Sequence, residues 1–130
     1  MSTATPFLMF QGQAQAAIDR YVAVLPNTQV LHMARHDGAG TGEGSVKLAR
    51  VAICGNTFLF SDSPPVHAFS FTPSCSVFID CDSREQQQRI FDALADGGQV
   101  RMPLDDYGFS RCFGWTDDRF GVSWQINLPA

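Results

Sequence analysis

The 130-residue sequence lacks the features that mark several large functional classes. Its nine lysines and arginines are scattered, with no basic cluster to bind nucleic acid or an anionic membrane surface. No apolar run approaches the roughly 20 residues needed to cross a bilayer. Residues 1–6 carry no basic residue ahead of a long apolar stretch, so no secretory signal is expected there. We therefore expect a cytoplasmic protein with neither nucleic acid nor membrane as a partner.

The sequence also lacks paired cysteines. Its four cysteines form no C-x-x-C pair, so the usual spacing of zinc and redox sites is missing: Cys54, Cys75, Cys81 and Cys112. In a reducing compartment, isolated cysteines are most often buried thiols. We predict buried thiols, with neither a disulfide framework nor a zinc centre.

Phenylalanine, by contrast, is abundant. The chain has eleven phenylalanines against two tyrosines, within a composition of 45% hydrophobic and 17% charged residues. That balance is typical of a globular protein, and the length suits one domain with a core of its own. We predict a single domain over residues 1–130, with an aromatic interior or an aromatic-lined cavity.

Hydrophobic periodicity divides the chain into two similar halves, residues 5–63 and 74–129. In the first, a short apolar strand precedes a helix whose apolar residues recur every three or four positions from Ala14 to Leu25, and three strands follow. The second half repeats that order. We therefore predict an α+β fold in which two βαβββ repeats form one curved, mostly antiparallel sheet, with the helices on its convex face.

Local signals predict the ends of these elements. Asp82 or Ser83 is placed to cap the second helix, with Glu85 and Gln86 placed to complete a capping box. Gly55-Asn56 predicts a two-residue hairpin turn. Glycine occupies every second position from 38 to 44, which suggests a mobile hairpin loop. A phosphate-binding loop is disfavoured there, because a strand pattern follows where a helix would be needed.

The stretch over residues 113–127 carries the sharpest pattern in the chain. It holds both tryptophans, and it predicts two strands joined by a polar turn at residues 117–119. After the turn, polar and apolar residues alternate, as expected for a strand with two different faces. The polar face would line a pocket while the apolar face packs on helices. The polar set is Ser123, Gln125 and Asn127, and the apolar set is Val122, Trp124 and Ile126.

Four segments, residues 6–14, 17–21, 77–85 and most specifically 113–126, resemble a known family. They are similar to the PhnB-like branch of the vicinal oxygen chelate superfamily, which includes glyoxalases, bleomycin-resistance proteins and ring-cleaving dioxygenases. The domain of that branch is often labelled 3-demethylubiquinone-9 3-methyltransferase. The resemblance implies a glyoxalase/bleomycin resistance-like cup, and a homodimer, because members complete their cups by pairing repeats within or across chains.

The resemblance also implies where a metal would bind. Metal-dependent members hold one divalent ion through His, Glu or Gln side chains on the first and fourth strands of each repeat. Residues 6–10 and 57–60 offer no such ligand, and residues 74–76 offer serine and cysteine where histidine is usual. Only Gln125 stands at a ligand position, and one neutral amide does not hold a divalent cation against water. We predict no metal and no cofactor.

Five residues are predicted to bind a ligand, and no catalytic residue is identified. Gln125 either orients a small ligand at the floor of the cup or is a core amide that bridges strands; Ser123 and Asn127 share its face. Trp115 either stacks on the ligand or belongs to the core. Asp62 either reaches the cup or caps its own turn.

Three functions fit these residues. The first is binding of a small molecule without a metal, for example sequestration of a planar or aromatic toxin. The second is an enzyme, either a metal-dependent lyase of glyoxalase type or the methyltransferase of the family label. The methyltransferase is disfavoured, because no glycine-rich loop follows a first parallel strand to bind S-adenosylmethionine. The third is an interaction module whose own phenylalanines fill the cup.

Overall fold

The computed structural model describes residues 1–36 and 45–130. The chain divides into two compact units, Met1–Ala68 and Phe69–Ala130, and the boundary lies between the two predicted repeats. Within the described residues, each unit contains one helix and four strands in the order βαβββ. The predicted repeat is therefore confirmed, and the single domain over residues 1–130 stays a prediction.

The first unit is a mixed four-stranded sheet with one helix. Its strands are ordered β1-β4-β3-β2; β1 runs parallel to β4, and the other neighbours are antiparallel. The apolar stripe of the helix packs on this sheet and is buried, as its period of three and four predicts. The elements are β1 (Phe7–Phe10), α1 (Ala14–Val24), β2 (Gln29–Arg35), β3 (Val46–Ile53) and β4 (Asn56–Asp62).

The second unit repeats this arrangement. Its strands are ordered β5-β8-β7-β6, again with the first and last strands parallel and the other neighbours antiparallel. The helix packs on β7 and β8 through Gln87, Ile90, Phe91 and Leu94. The elements are β5 (Ser76–Asp80), α2 (Arg84–Ala95), β6 (Gln99–Asp105), β7 (Cys112–Asp117) and β8 (Ser123–Leu128).

The hydrogen bonding of the strands differs in one respect from the predicted single sheet. The eight strands form two four-stranded sheets, one in each unit. The first strand of each repeat lies beside the fourth strand of the same repeat as a parallel neighbour. Both sheets are therefore mixed, because the helix carries the chain across the sheet before the three antiparallel strands follow.

The turn between β3 and β4 lies one residue earlier than predicted. β4 already begins at Asn56, and the turn residues are Cys54 and Gly55, with φ of 50° and 87°. A two-residue turn of this type needs positive φ at both central positions. The Cys54 N–H donates to Thr28 Oγ1 at 3.1 Å, and the Gly55 N–H donates to the Asn27 carbonyl at 3.0 Å. These long-range hydrogen bonds hold Cys54 in a conformation that its sequence alone disfavours.

The start of α2 confirms the capping prediction and assigns it to Ser83. The Ser83 hydroxyl accepts the N–H of Gln86 at 3.1 Å, and Gln86 Oε1 accepts the N–H of Asp82 at 2.9 Å. The two hydrogen bonds satisfy amides that the first turn of a helix leaves without partners.

All four cysteines are free thiols. Cys81 and Cys112 are buried as predicted, Cys54 is half-buried, and Cys75 is exposed, so the prediction of burial is wrong for Cys75. Burial raises the pKa of the Cys54 thiol, which keeps it protonated and unreactive near neutral pH.

The glycine-rich loop over residues 38–44 lies outside the described residues, so the mobile hairpin there stays a prediction. In the part of the chain that the structure describes, no helix is long and apolar enough to cross a membrane.

Candidate functional site

The two faces of the second sheet differ in composition. On one face, Trp124, Ile126 and Leu128 are buried on the side of α2, so the alternation predicted along β8 is confirmed. The opposite face is called the helix-free face. It comprises alternate residues of three neighbouring strands: Ser76, Phe78 and Asp80 of β5, Ser123, Gln125 and Asn127 of β8, and Phe113, Trp115 and Asp117 of β7.

Gln125 lies in the middle of the helix-free face. It is paired with Phe78 on one side and Trp115 on the other, and it is half-buried. Its Nε2 donates to Ser76 Oγ at 2.6 Å. Within residues 1–36 and 45–130, its Oε1 has no hydrogen-bond partner. The amide is thus oriented through its nitrogen and retains an acceptor for another group.

Asn127 lies deeper on the same face and is 7% exposed. Its Nδ2 donates to Asp80 Oδ1 at 2.9 Å. Asn127 Oδ1 is buried and has no hydrogen-bond partner among the described residues. A buried acceptor without a partner costs about 1–3 kcal/mol. A donor brought by a ligand would recover part of that free energy.

Trp115 is held in place by two polar neighbours. Its Nε1 donates to Ser123 Oγ at 2.7 Å, and the Arg101 guanidinium lies 6.0 Å from the ring centroid. Arg101 also binds the Asp117 carboxylate at 2.6 Å, and this hydrogen bond raises the pKa of Arg101. Only one Asp117 oxygen takes part; Oδ1 is buried without a hydrogen-bond partner in the described part of the chain.

An aromatic patch adjoins these polar residues: Phe78, Tyr107 and Phe109 surround Phe113. Phe113 is 4% exposed, whereas the other three are 52%, 39% and 61% exposed. Their ring centroids lie 6.2, 6.1 and 5.0 Å from that of Phe113, and the Tyr107 hydroxyl donates to the Pro103 carbonyl. Adjacent exposed rings are typical of surfaces that bind a ligand or another protein.

Asp62, which the sequence predicts either to bind a ligand or to cap its own turn, lies at the start of α1, and its binding of a ligand stays a prediction. The side chain is 2% exposed. Its Oδ1 accepts the N–H groups of Gly12 and Ala14, and its Oδ2 accepts the N–H of Val46, each at 2.9 Å. The N-terminus of α1 has no capping side chain of its own. Asp62 caps that helix instead of its own turn, and the helix dipole favours a negative charge there.

Asp118 has a structural role that the sequence indicated only in part. It was predicted as a turn residue, and it is 5% exposed. Its Oδ1 accepts the N–H groups of Phe120 and Val122 at 2.9 and 3.0 Å, and its Oδ2 accepts Trp124 Nε1 at 2.9 Å. The hydrogen bond to the backbone two residues on is the usual aspartate turn pattern. The hydrogen bond to the Trp124 indole depends in addition on which face of β8 carries Trp124, and the alternation along that strand sets the face.

Five residues of the helix-free face were not among the predicted ligand-binding residues: Ser76, Phe78, Asp80, Phe113 and Asp117. Three of them alternate along β5, which was the available signal. That signal is weak, because the pattern of a short strand does not show which strand it pairs with or in which register. The pairing of β5 with β8 places Ser76 beside Gln125 and Asp80 beside Asn127.

The side chains around Gln125 do not fit the divalent metal that the resemblance implies. Its amide nitrogen is already bound to Ser76, and its neighbours across both ladders, Phe78 and Trp115, have no ligand atom of the kind that Zn²⁺ or Mg²⁺ prefers. Within the described residues, no group of three or more His, Cys, Asp or Glu is placed to hold a metal ion. The metal-free site remains a prediction.

Comparison with known proteins relates this fold to a family. The family described as 3-demethylubiquinone-9 3-methyltransferase matches residues 2–127. The structure of the PhnB protein from Bacillus cereus is 38% identical, with a TM-score of 0.92 over 98% of this chain and 99% of that chain.

Two further comparisons are more distant. Protein YjdN of Escherichia coli (strain K12) is 32% identical over 80 residues, which is 62% of this chain and 54% of that protein. The match thus spans about half the length of this curated relative. A glyoxylase/bleomycin resistance protein/dioxygenase domain from Frankia sp. EAN1pec is 12% identical with a TM-score of 0.71, over 100% of this chain and 98% of that chain, which shows a shared fold. The chain therefore belongs to the family described as 3-demethylubiquinone-9 3-methyltransferase, and it is similar over nearly its whole length to a PhnB protein.

Proposed function

We propose that this protein binds a small planar molecule on the helix-free face of its second unit, without a divalent metal. The observation that carries the proposal is the exposed aromatic patch beside the amides of Gln125 and Asn127, whose oxygens have no hydrogen-bond partner among the described residues. Aromatic side chains supply apolar area and stacking, and a few polar groups orient the ligand. The orienting residues would be Gln125, Ser123, Asn127 and Trp115.

The methyltransferase of the family label is not the function that the described residues favour. S-adenosylmethionine is usually bound beside an open helix N-terminus that follows a glycine-rich turn. Here the Asp62 carboxylate occupies the amides at the start of α1. The turn before α2 contains no glycine, and Ser83 takes the first-turn amide of Gln86. The described residues therefore do not fit that co-substrate.

We expect naphthalenemethanol, a neutral planar probe, to bind the wild-type protein, and Gln125→Leu to weaken this binding about three- to tenfold. The substitution removes one hydrogen bond to the ligand, which contributes about 0.5–1.5 kcal/mol. Isothermal titration calorimetry measures both affinities. The matched control is Gln88→Leu on α2, where the amide makes an exposed hydrogen bond to Asp92.

The same measurements separate the alternative functions. If wild type and Gln125→Leu bind naphthalenemethanol with equal affinity, Gln125 is a core amide and does not contact the ligand. No binding of the probe to either would favour an interaction module. Stoichiometric divalent metal in protein purified without chelator would instead support the metal-dependent lyase, and binding of S-adenosylmethionine in the calorimeter would support the methyltransferase.

We further propose that the protein is a homodimer in solution. The outer strand of the first sheet, β2, exposes 41% of Val30 and 51% of Leu31, and an exposed apolar edge strand is a site for pairing with another chain. Light scattering at micromolar concentration is expected to give twice the mass of one chain, and Leu31→Lys to shift it toward the monomer. Val22→Lys, on α1, is the control. A wild-type monomer would overturn the proposal.

A cytoplasmic location is also proposed, because the free thiols of all four cysteines are typical of a reducing compartment. Alkylation of intact cells before lysis should find Cys75, the exposed cysteine, in its reduced form. An oxidised Cys75 would contradict this location.

A further inference from the structure

On the helix-free face, the amide and indole nitrogens have hydrogen-bond partners, whereas several side-chain oxygens have none among the described residues. Each amide or indole nitrogen has a partner within the sheet: Gln125 Nε2 binds Ser76, Asn127 Nδ2 binds Asp80, and Trp115 Nε1 binds Ser123. The oxygens that remain without partners among the described residues are Gln125 Oε1, Asn127 Oδ1 and Asp117 Oδ1. A face of this kind has acceptors to offer and selects a ligand that donates hydrogen bonds.

Negative charge surrounds the aromatic patch. Asp80 lies two residues after Phe78 on β5, and it is exposed with no ion pair in the described part of the chain. Asp105 pairs with Phe113 across β6 and β7. Positions 102–118 hold four aspartates and one basic residue, Arg111; Asp105 and Asp106 are exposed, whereas Asp117 is paired with Arg101 and Asp118 is buried. The patch therefore favours a cation over an anion.

The buried oxygen of Asn127 points to a ligand independently of these charges. The residue is more than nine-tenths buried, and its Oδ1 has no partner in the described residues although its Nδ2 is held by Asp80. Burial without a hydrogen bond is unfavourable for an amide oxygen. A ligand that carries an ammonium group to the neighbouring Asp80 carboxylate would bring the kind of donor that this oxygen lacks.

We propose that the ligand is a planar aromatic molecule that carries a protonated amine. This inference rests on the proposed function and adds the chemical class of the ligand. The ring stacks on Phe78 and Phe109 beside Phe113, and the ammonium binds Asp80 with Asn127 Oδ1 as a second acceptor. Aromatic faces also attract a cation directly, which strengthens the preference for an amine.

The test uses three naphthalene probes with the same ring position substituted: naphthalenemethylamine, naphthalenemethanol and naphthoate, which are cationic, neutral and anionic at neutral pH. Calorimetry on the full-length wild-type protein is expected to give the tightest binding for the amine, by about three- to tenfold over the alcohol, and the weakest for naphthoate. Raising the salt concentration should weaken binding of the amine more than binding of the alcohol.

The variant is Asp80→Asn, which removes the charge and retains an oxygen to accept from Asn127. This substitution should lower the affinity of the amine to that of the alcohol, and it should leave the affinity of the alcohol unchanged. Asp92→Asn, an exposed position on α2, makes the same charge change away from the face and should affect neither probe. Asp80→Ser provides a second variant without the charge if Asp80→Asn lowers the unfolding temperature.

Each result decides between the two proposals. Binding of the alcohol with equal or weaker binding of the amine would overturn the inference and leave the proposed function in place. A preference for the amine that survives both Asp80 variants would also overturn it, because Asp80 would not be the acceptor. If none of the three probes binds, both proposals fail together.

Discussion

Replacing Asp118 with alanine is expected to lower the free energy of unfolding by about 3–5 kcal/mol. The side chain is 5% exposed and accepts hydrogen bonds from the amides of Phe120 and Val122 and from the indole of Trp124. Alanine leaves these donors without an acceptor. Val122 and Trp124 are themselves buried, so water does not replace the carboxylate. A typical domain is stable by only about 5–15 kcal/mol, so the loss is a large fraction of the total.

Thermal unfolding followed by circular dichroism measures this effect, and the midpoint is expected to fall by about 10–20 °C. The matched control is Asp96→Ala. Asp96 is an exposed aspartate that forms an ion pair with Arg119 near the same turn, and its removal should change stability by about 0.5 kcal/mol or less. Equal and small shifts in the two variants would contradict the structural role of Asp118.

Replacing Asp62 with alanine is the second large effect, also about 3–5 kcal/mol. Its carboxylate accepts three backbone N–H groups, two at the start of α1 and one at the start of β3. Loss of the carboxylate leaves buried amides unpaired and removes the only cap that α1 has among the described residues. The free energy of unfolding of Asp62→Asn should fall between those of wild type and Asp62→Ala. The amide oxygen of asparagine can still accept a hydrogen bond, whereas its NH₂ group faces a donor.

Hydrogen exchange distinguishes this mechanism from a general loss of packing. The amides of Gly12, Ala14 and Val46 should exchange faster in Asp62→Ala by a larger factor than those in the second unit. Asp19→Ala, an exposed position on α1 whose carboxylate accepts a hydrogen bond from Gln15, is the control and should leave both stability and exchange nearly unchanged. Protection of Gly12 and Ala14 at the wild-type level would show that Asp62 does not cap the helix.

These two carboxylates narrow the set of residues that are available to a ligand. Asp62 and Asp118 are buried and satisfied by the protein itself. Asp80, which the sequence did not single out, is exposed on the helix-free face and bound to Asn127. The carboxylate proposed to meet a ligand is therefore the one that lies on the same face as Gln125.

The polar face of β8 illustrates what could be predicted and what could not. The alternation of Ser123, Gln125 and Asn127 with apolar residues was sufficient to assign their common face, because side chains of a strand alternate between its two sides. Their partners, Ser76 and Asp80, lie more than 40 residues earlier. Which of their atoms remain without hydrogen bonds depends on that pairing, so the preference for a donating ligand was not accessible from the pattern.

The sequence by itself determined the βαβββ repeat, the bounds of both helices to within a few residues and the two faces of β8, and it narrowed the cap of α2 to Asp82 or Ser83. These features depend on residues that are near one another in the chain, where periodicity and capping act directly. Only the tertiary structure decided the turn at Cys54-Gly55, the capping of α1 by Asp62, and the partners of Gln125 and Asn127. Each of these depends on a hydrogen bond between distant segments, and its energy exists only once the strands have paired.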